Sequence, residues 1–254
     1  DEDLRADRQP EFTQVDLEMS FVDCDDVYEV IEQLMKELFS KCIGVKVETP
    51  FRRLTYDEAI GCYGSDKPDL RFELKLKDVT EIVKDTKFGI FKKVLESSGT
   101  IKGFSAPGMA SISRKDLDEL TQFVVAQGAG GLAWLKRDEN GVNSPIAKFF
   151  SQESLDRLVA TLGAKPGDLL LMIADRPKVT NQVLSALRAR VGHRLNLAVP
   201  GQFEFCWVTD FPLLEWDEEE KRYQAVHHPF STHANDFPTG AYIGHKKMKR
   251  RRAK

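Results

Sequence analysis

DEDLRADRQPEFTQVDLEMSF, residues 1–21, is a charged, turn-prone loop that runs straight into an alternating strand. From Phe12 onward Val15, Leu17, Met19 and Phe21 fall on one side, while Gln14, Asp16, Glu18 and Ser20 fall on the other. Side chains on a strand alternate between faces, so this period of two predicts a half-buried strand from Phe12 to Phe21 with a polar face. The loop before it gathers Asp1, Glu2, Arg5, Arg8, Gln9 and Glu11, so charged and amide groups converge on one sheet face. Such a face suits a ligand with cationic, anionic and hydrogen-bonding parts. It equally describes the solvated side of an antiparallel sheet, and on residue chemistry alone that plainer description is the better supported.

Next along the chain, Asp23 and Asp25 are N-cap candidates, and Val27, Val30, Ile31, Leu34 and Leu38 recur at helical spacing until Gly44. A helix is expected here, packing its apolar stripe beside the strand. The turn formers of YGSDKPDLR, residues 63–71, break the pattern and place a boundary near Arg71. Beyond it, strand-like GFSAP, GLAWLK and DLLLMIAD alternate with helical stretches at 113–127, 151–162 and 178–191, which predicts a compact α+β unit. Ser151 and Ser154 stand ahead of Leu155, Leu158, Val159 and Leu162. Val179, Val183, Leu184 and Leu187 share a face of the third helix, which should stop near Gly192. After Pro200-Gly201, Phe203, Phe205 and Trp207 alternate before DFP. LLEW and YQAVHH then flank the charged loop DEEEKR, as expected of a β-hairpin with a solvated tip.

Composition narrows the function classes. No apolar run approaches the roughly 18 residues of a membrane helix, and no basic, apolar and small-residue succession marks a secretory signal, so a cytosolic protein without a membrane partner is expected. Cys24, Cys42, Cys62 and Cys206 contain no C-x-x-C pair, and the expectation is free thiols rather than a metal knuckle or redox dithiol. His227 and His228 are neighbours at the end of an expected strand, where successive side chains point to opposite faces, which argues against shared metal ligation; His233 adds little, and no metal site is expected. The net charge of −3 conceals the acidic WDEEE at 216–220 and the basic end HKKMKRRRAK, where a short Lys/Arg run is read first as a solvated end and second as an RNA contact.

DEDLRADRQPEFTQVDLEMSF resembles motif 2 of the class II aminoacyl-tRNA synthetases, in the form seen in bacterial aspartyl enzymes. HHPF, with the preceding WVTDFPLLEW, resembles the histidine block of the same family. YGSDKPDLR, APGMAS at 106–111, NSPIAKFF and PGDLLLMIAD are similar to the inserted GAD domain that these enzymes share with some amidotransferase subunits. Together these matches span roughly residues 1–231. The resemblance implies an α+β fold: part of the class II antiparallel-sheet catalytic domain at 1–71, an inserted α+β domain at 72–200, a return of strand and hairpin at 201–231, and a divergent basic tail at 232–254.

It also implies roles. Asp1, Glu2 and Gln9 fall on positions used for ATP, Arg5 and Arg8 on loop positions near the tRNA acceptor end, and Gln14 and Asp16 on positions facing aspartate and its adenylate. His227 falls on the aspartate-binding position, with His228 beside it in the catalytic centre. The implied activity is aspartate–tRNA ligation with ATP as substrate and Mg2+ as cofactor, in a parent expected to be a homodimer. The first residue is Asp1 rather than Met, and the chain is read as an internal piece of a longer product. The family's phosphate-gripping Arg before this point, its metal-binding Glu and its motif 3 are not found, so little or no aminoacylation is expected of this polypeptide alone. The alternative from a different class is a non-catalytic RNA-binding or protein-interaction module that keeps the synthetase fold.

Overall fold

The computed structural model describes residues 11–217 and 220–226. They fall into two units, Phe51–Pro212 and the residues before and after it. Residues 11–22 have no regular secondary structure. Phe12, Val15, Leu17, Met19 and Phe21 are all exposed, Val15 at 79%. The expected strand is therefore corrected to an irregular, solvated segment. Its alternation is intact, but a strand exists only through the hydrogen bonds of a neighbour, and no ladder among the described residues includes it.

Helix α1, Cys24–Ile43, follows. Asp23 accepts from the backbone of Asp25 at 2.9 Å and Asp26 at 3.3 Å, while the Asp26 carboxylate accepts from the Asp23 N–H at 2.8 Å. This reciprocal box satisfies donors that the first turn would otherwise leave open. Gly44 closes the helix at φ 69°, which lets Val45 N–H reach the Phe39 carbonyl at 3.1 Å. The ends are as the sequence predicts, but the stripe is not packed: Val27, Val30, Leu34 and Leu38 are exposed, because the strand expected beside them is not formed.

The Phe51–Pro212 unit opens with β1, Arg52–Thr55, and α2, Tyr56–Tyr63, whose N-cap Thr55 forms a second capping box with Glu58. The elements β2 (Lys77–Asp78), α3 (Gly89–Glu96), β3 (Thr100–Ala106), α4 (Arg114–Ala126), β4 (Ala133–Asp138), β5 (Gly141–Asn143), α5 (Gln152–Leu162), β6 (Leu169–Asp175) and α6 (Pro177–Arg194) come next. β7, Cys206–Thr209, ends the unit. Five strands form one sheet in the order β2-β3-β6-β4-β5, antiparallel throughout.

The central strand β6 explains the layering. Its Leu169, Leu171 and Ile173 pack with Leu117, Leu120 and Val124 of α4 and Val183, Leu184 and Leu187 of α6. Its Leu170 and Met172 pack with Phe91 of α3 and Leu155, Leu158 and Leu162 of α5. Both faces are covered by helices, so the strand reads LLLMI without a polar face. Each of those five side chains is 0% exposed.

β1 pairs with β7 in parallel, Arg52 opposite Cys206 and Thr55 opposite Thr209. Parallel neighbours need a long crossover, and here it is the whole five-stranded domain. Phe51 stacks on Phe205 at 4.9 Å at the start of the pair. After Pro212 come β8, Leu214–Asp217, and β9, Arg222–Ala225, an antiparallel hairpin as predicted. Trp216 and Tyr223 face each other edge to face across it at 5.2 Å.

Candidate functional site

Of the residues singled out in the sequence, Gln14 and Asp16 are described; both are exposed on the irregular segment before α1. Asp1, Glu2, Arg5, Arg8, Gln9, His227 and His228 lie outside the described residues. β9 delivers the chain to Val226, whose N–H donates to the Leu213 carbonyl at 3.1 Å.

The strand pair ends in an unusual turn. Asp210 adopts φ 57°, a left-handed conformation that non-glycine residues reach at some cost. The Thr209 hydroxyl lies 3.0 Å from the Asp210 carboxylate and 3.4 Å from the Leu54 carbonyl, which ties the turn back to β1. Tyr56 and Phe211 rings pack at 5.0 Å on the other side. On β7 itself, burial pushes the Cys206 thiol up from its ordinary pKa.

Sequence reasoning missed the two polar hubs of the unit. Arg188 on α6 is 3% exposed. Its Nη2 donates to the carbonyls of Asp69, Phe72 and Glu73 at 2.8, 2.6 and 2.7 Å, and its Nε to that of Leu74 at 3.1 Å. The guanidinium lies over the rings of Phe72 at 4.2 Å and Tyr63 at 5.0 Å. Burial lowers its pKa, while Asp69, Tyr63 and Glu73 oppose that shift. Asp69 is itself held below the ordinary carboxylate value, chiefly by its hydrogen bond from Arg71, whose Nη2 lies 2.7 Å away. Segment 69–74, and with it the end of α2, is strapped to α6 by one side chain. The fit is close: Gly64 has φ 73°, and a Cβ there would lie 2.2 Å from the Asn181 carbonyl oxygen.

Asp168 is the second hub. Buried at the start of β6, it accepts from Gly108 N–H and Lys165 N–H, both at 2.9 Å, and from the Ser105 hydroxyl at 3.2 Å. It thus joins the SAPGM turn to the KPGD turn. Asp168→Ala would strand buried donors, and a loss of about 1–3 kcal/mol is expected by urea unfolding, with Asp168→Asn recovering part of it.

Two of the concavities in this unit border its five-stranded sheet. One, of about 410 Å3, is bounded by Arg137, Asn140, Gln152 and Asp156. Arg137 Nε is the one buried side-chain polar atom among the described residues without a hydrogen-bond partner. The other, of about 260 Å3, is lined by Ile90, Phe91, Gly131, Trp134, Pro145 and Ile146 at the sheet end. Among the described residues no group of three or more His, Cys, Asp or Glu side chains is placed to hold a metal ion. No helix there is long and apolar enough to cross a membrane.

Against this geometry the comparisons are specific. Residues 1–250 match the family described as tRNA synthetases class II (D, K and N). The chain is 52% identical over 231 residues to the "Aspartate--tRNA(Asp/Asn) ligase" of Heliobacterium modesticaldum, covering 91% of this chain and 38% of that protein. It is 53% identical over 238 residues to the protein of that name from Symbiobacterium thermophilum, covering 93% and 40%. Identity to the one from Caldanaerobacter subterraneus is 50% over 232 residues, covering 91% and 39%. The chain therefore spans about two fifths of the length of these relatives.

Proposed function

We propose that this chain, which belongs to the class II tRNA synthetases of the D, K and N group, carries part of the aspartate-activating and tRNA-charging site of an aspartate–tRNA ligase. What carries the reading is identity of about half to three such ligases over more than nine tenths of the chain.

The reaction proposed has two steps. The α-carboxylate of aspartate attacks the α-phosphorus of ATP, the bond to the terminal diphosphate breaks, and pyrophosphate leaves. A hydroxyl of the tRNA terminal adenosine then attacks the aspartyl carbonyl carbon, AMP leaves with the bonding pair, and the hydroxyl proton passes to the departing phosphate or to water. Both steps bring anions together, so the protein's contribution is positioning and charge neutralisation rather than covalent help. In this reading Asp1, Glu2 and Gln9 hold ATP, and Arg5 and Arg8 meet the phosphates of the acceptor end. Gln14 and the Asp16 carboxylate receive the amino-acid end, where a carboxylate suits the substrate ammonium. His227 meets the substrate carboxylate, with His228 beside it. The relatives' names give the acceptors as tRNA(Asp/Asn), and we extend that range to this chain.

Mg2+ belongs to the resemblance; among the described residues no group of three or more His, Cys, Asp or Glu side chains is placed to hold it. We assign residues 1–71 and 201–231 to the catalytic domain, 72–200 to an inserted GAD-type domain, and 232–254 to a divergent tail. The helix-covered five-stranded sheet, which lies between Lys77 and Arg194, supports the inserted assignment. A homodimeric parent and a cytoplasmic location complete the proposal, on the family resemblance.

Calorimetric titration with a non-hydrolysable aspartyl-adenylate analogue tests it. The chain is expected to bind, and Asp16→Asn and His227→Ala are each expected to weaken binding about tenfold or more, equivalent to about 1.4 kcal/mol. Absence of binding, or one affinity for all three proteins, would refute the assignment.

A further inference from the structure

Arg137 stands at a position where an apolar residue would be expected. Side chains alternate along β4, so Ala133, Leu135 and Arg137 share a face, and the first two pack into the core beneath α3 and α5. The backbone at Arg137 is fixed on both sides. Its N–H donates to the Asp168 carbonyl at 2.9 Å, its carbonyl accepts from the Gly167 N–H at 2.8 Å, and across the hairpin it faces Val142. Yet its Nε is buried without a hydrogen-bond partner, and no ion pair takes up its charge among the described residues. A buried donor left open costs free energy that a bound acceptor would return.

The 410 Å3 cavity beside it has the size of a small-molecule site. One wall is a single face of α5, where Gln152, Asp156, Val159 and Ala160 follow one another at helical spacing. Gln152 Nε2 donates to Asp156 Oδ1 at 2.8 Å, which holds that carboxylate in place and leaves its other oxygen for a ligand. The opposite wall is the tip of the β4–β5 hairpin with Glu139 and Asn140, a turn in which the Asp138 carboxylate accepts from the Asn140 N–H at 2.8 Å. Both walls stand on regular elements, so the groups are held at set positions.

This lining selects by charge. Asp156 and Glu139 repel a phosphate or a dicarboxylate, whereas a simple cation would leave the Arg137 donor open. A zwitterion satisfies both signs, with a carboxylate on the planar fork of Arg137 and an ammonium against the two acids. The half-buried Val142 and Val159, with Ala160, supply an apolar strip for a side chain. We propose that the cavity between α5 and the β4–β5 hairpin binds a free α-amino acid with an aliphatic side chain, its carboxylate on Arg137 and its ammonium on Asp156 and Glu139. None of the residues assigned above to ATP, aspartate or tRNA lines this cavity, and the proposal stands without that assignment.

Calorimetric titration of the full chain with leucine, with isocaproate, which lacks the ammonium, and with isoamylamine, which lacks the carboxylate, tests it without any substitution. Leucine should bind saturably, and each analogue about tenfold or more weakly. Hydrogen exchange gives the location: leucine should slow the amides of 137–142 and 152–160. Arg137→Gln and Asp156→Asn should each weaken leucine binding about tenfold or more. Glu153→Gln, which removes a charge from the same helix outside the lining, should leave it unchanged. Far-UV circular dichroism checks that each variant folds. No saturable binding of leucine, equal affinity for leucine and either analogue, or protection that maps to other residues would overturn the proposal. So would Arg137→Gln and Asp156→Asn chains that bind leucine as well as the Glu153→Gln chain does.

Discussion

Arg188→Ala is expected to cost the Phe51–Pro212 unit about 2–5 kcal/mol, from hydrogen bonds lost to backbone carbonyls together with a cavity between two rings. The guanidinium meets the carbonyls of Asp69, Phe72, Glu73 and Leu74, and fills the space between the rings of Tyr63 and Phe72. Alanine leaves buried acceptors without donors and opens a void between two aromatic faces. Lysine should rescue little, because an ammonium cannot spread donors across a plane or stack as a guanidinium does. Urea unfolding measures the loss. Hydrogen exchange locates it: amides at 63–76 should lose protection first, ahead of β3 and β6. Protection lost evenly over the unit would show that Arg188 is one core residue among many rather than the strap on that segment.

Phe91→Ala should be of similar size on the opposite face of the sheet, about 3–5 kcal/mol for truncating a fully buried aromatic. Phe91 is 1% exposed and touches Phe88 and Phe150 edge to face, at 5.1 and 6.0 Å. It joins α3 to the turn after NSPIAKF as well as to β6, so truncation leaves a cavity that three elements must close. Val199→Ala is the useful contrast. That side chain is 61% exposed, and a change within about 0.5 kcal/mol is expected in the same urea titration. Equal losses for the two would mean that the core assigned to the α3 face does not carry the stability argued for it.

The parts that were legible in the sequence are those whose signal is local. α1 announces itself by Asp23 and Gly44 around an apolar stripe, and α5 by Ser151, whose hydroxyl lies 3.1 Å from the Ser154 N–H. The run LLLMI marks a strand buried on both faces. α2 was missed although Thr55 and Glu58 form its capping box, because eight residues that include Gly61 and few aliphatics show little helical period. The parallel pairing of β1 with β7 joins residues about 150 apart in the sequence, a separation at which no local pattern reports a partner.

Segment 12–21 shows the converse. Its alternation is plain, yet it is not a strand among the described residues, because alternation specifies which face is buried and not that a neighbour is present. Arg188 was invisible for a related reason: within LRARVGHR it is one cation among several, and its acceptors lie 114 to 119 residues earlier. The motif-2-like loop and the histidine pair were found through family resemblance, since charged loops and adjacent histidines have commoner structural explanations.

Residues 1–21 and the histidines at 227 and 228 are proposed to bound one nucleotide and amino-acid pocket. Photoaffinity labelling with an azido-adenosine analogue of aspartyl-adenylate, followed by peptide mapping, tests it most directly. The account predicts labelled peptides from both 1–21 and 222–231, each protected by unlabelled analogue. Labelling confined to one of the two stretches, or scattered over the five-stranded domain without protection, would contradict it.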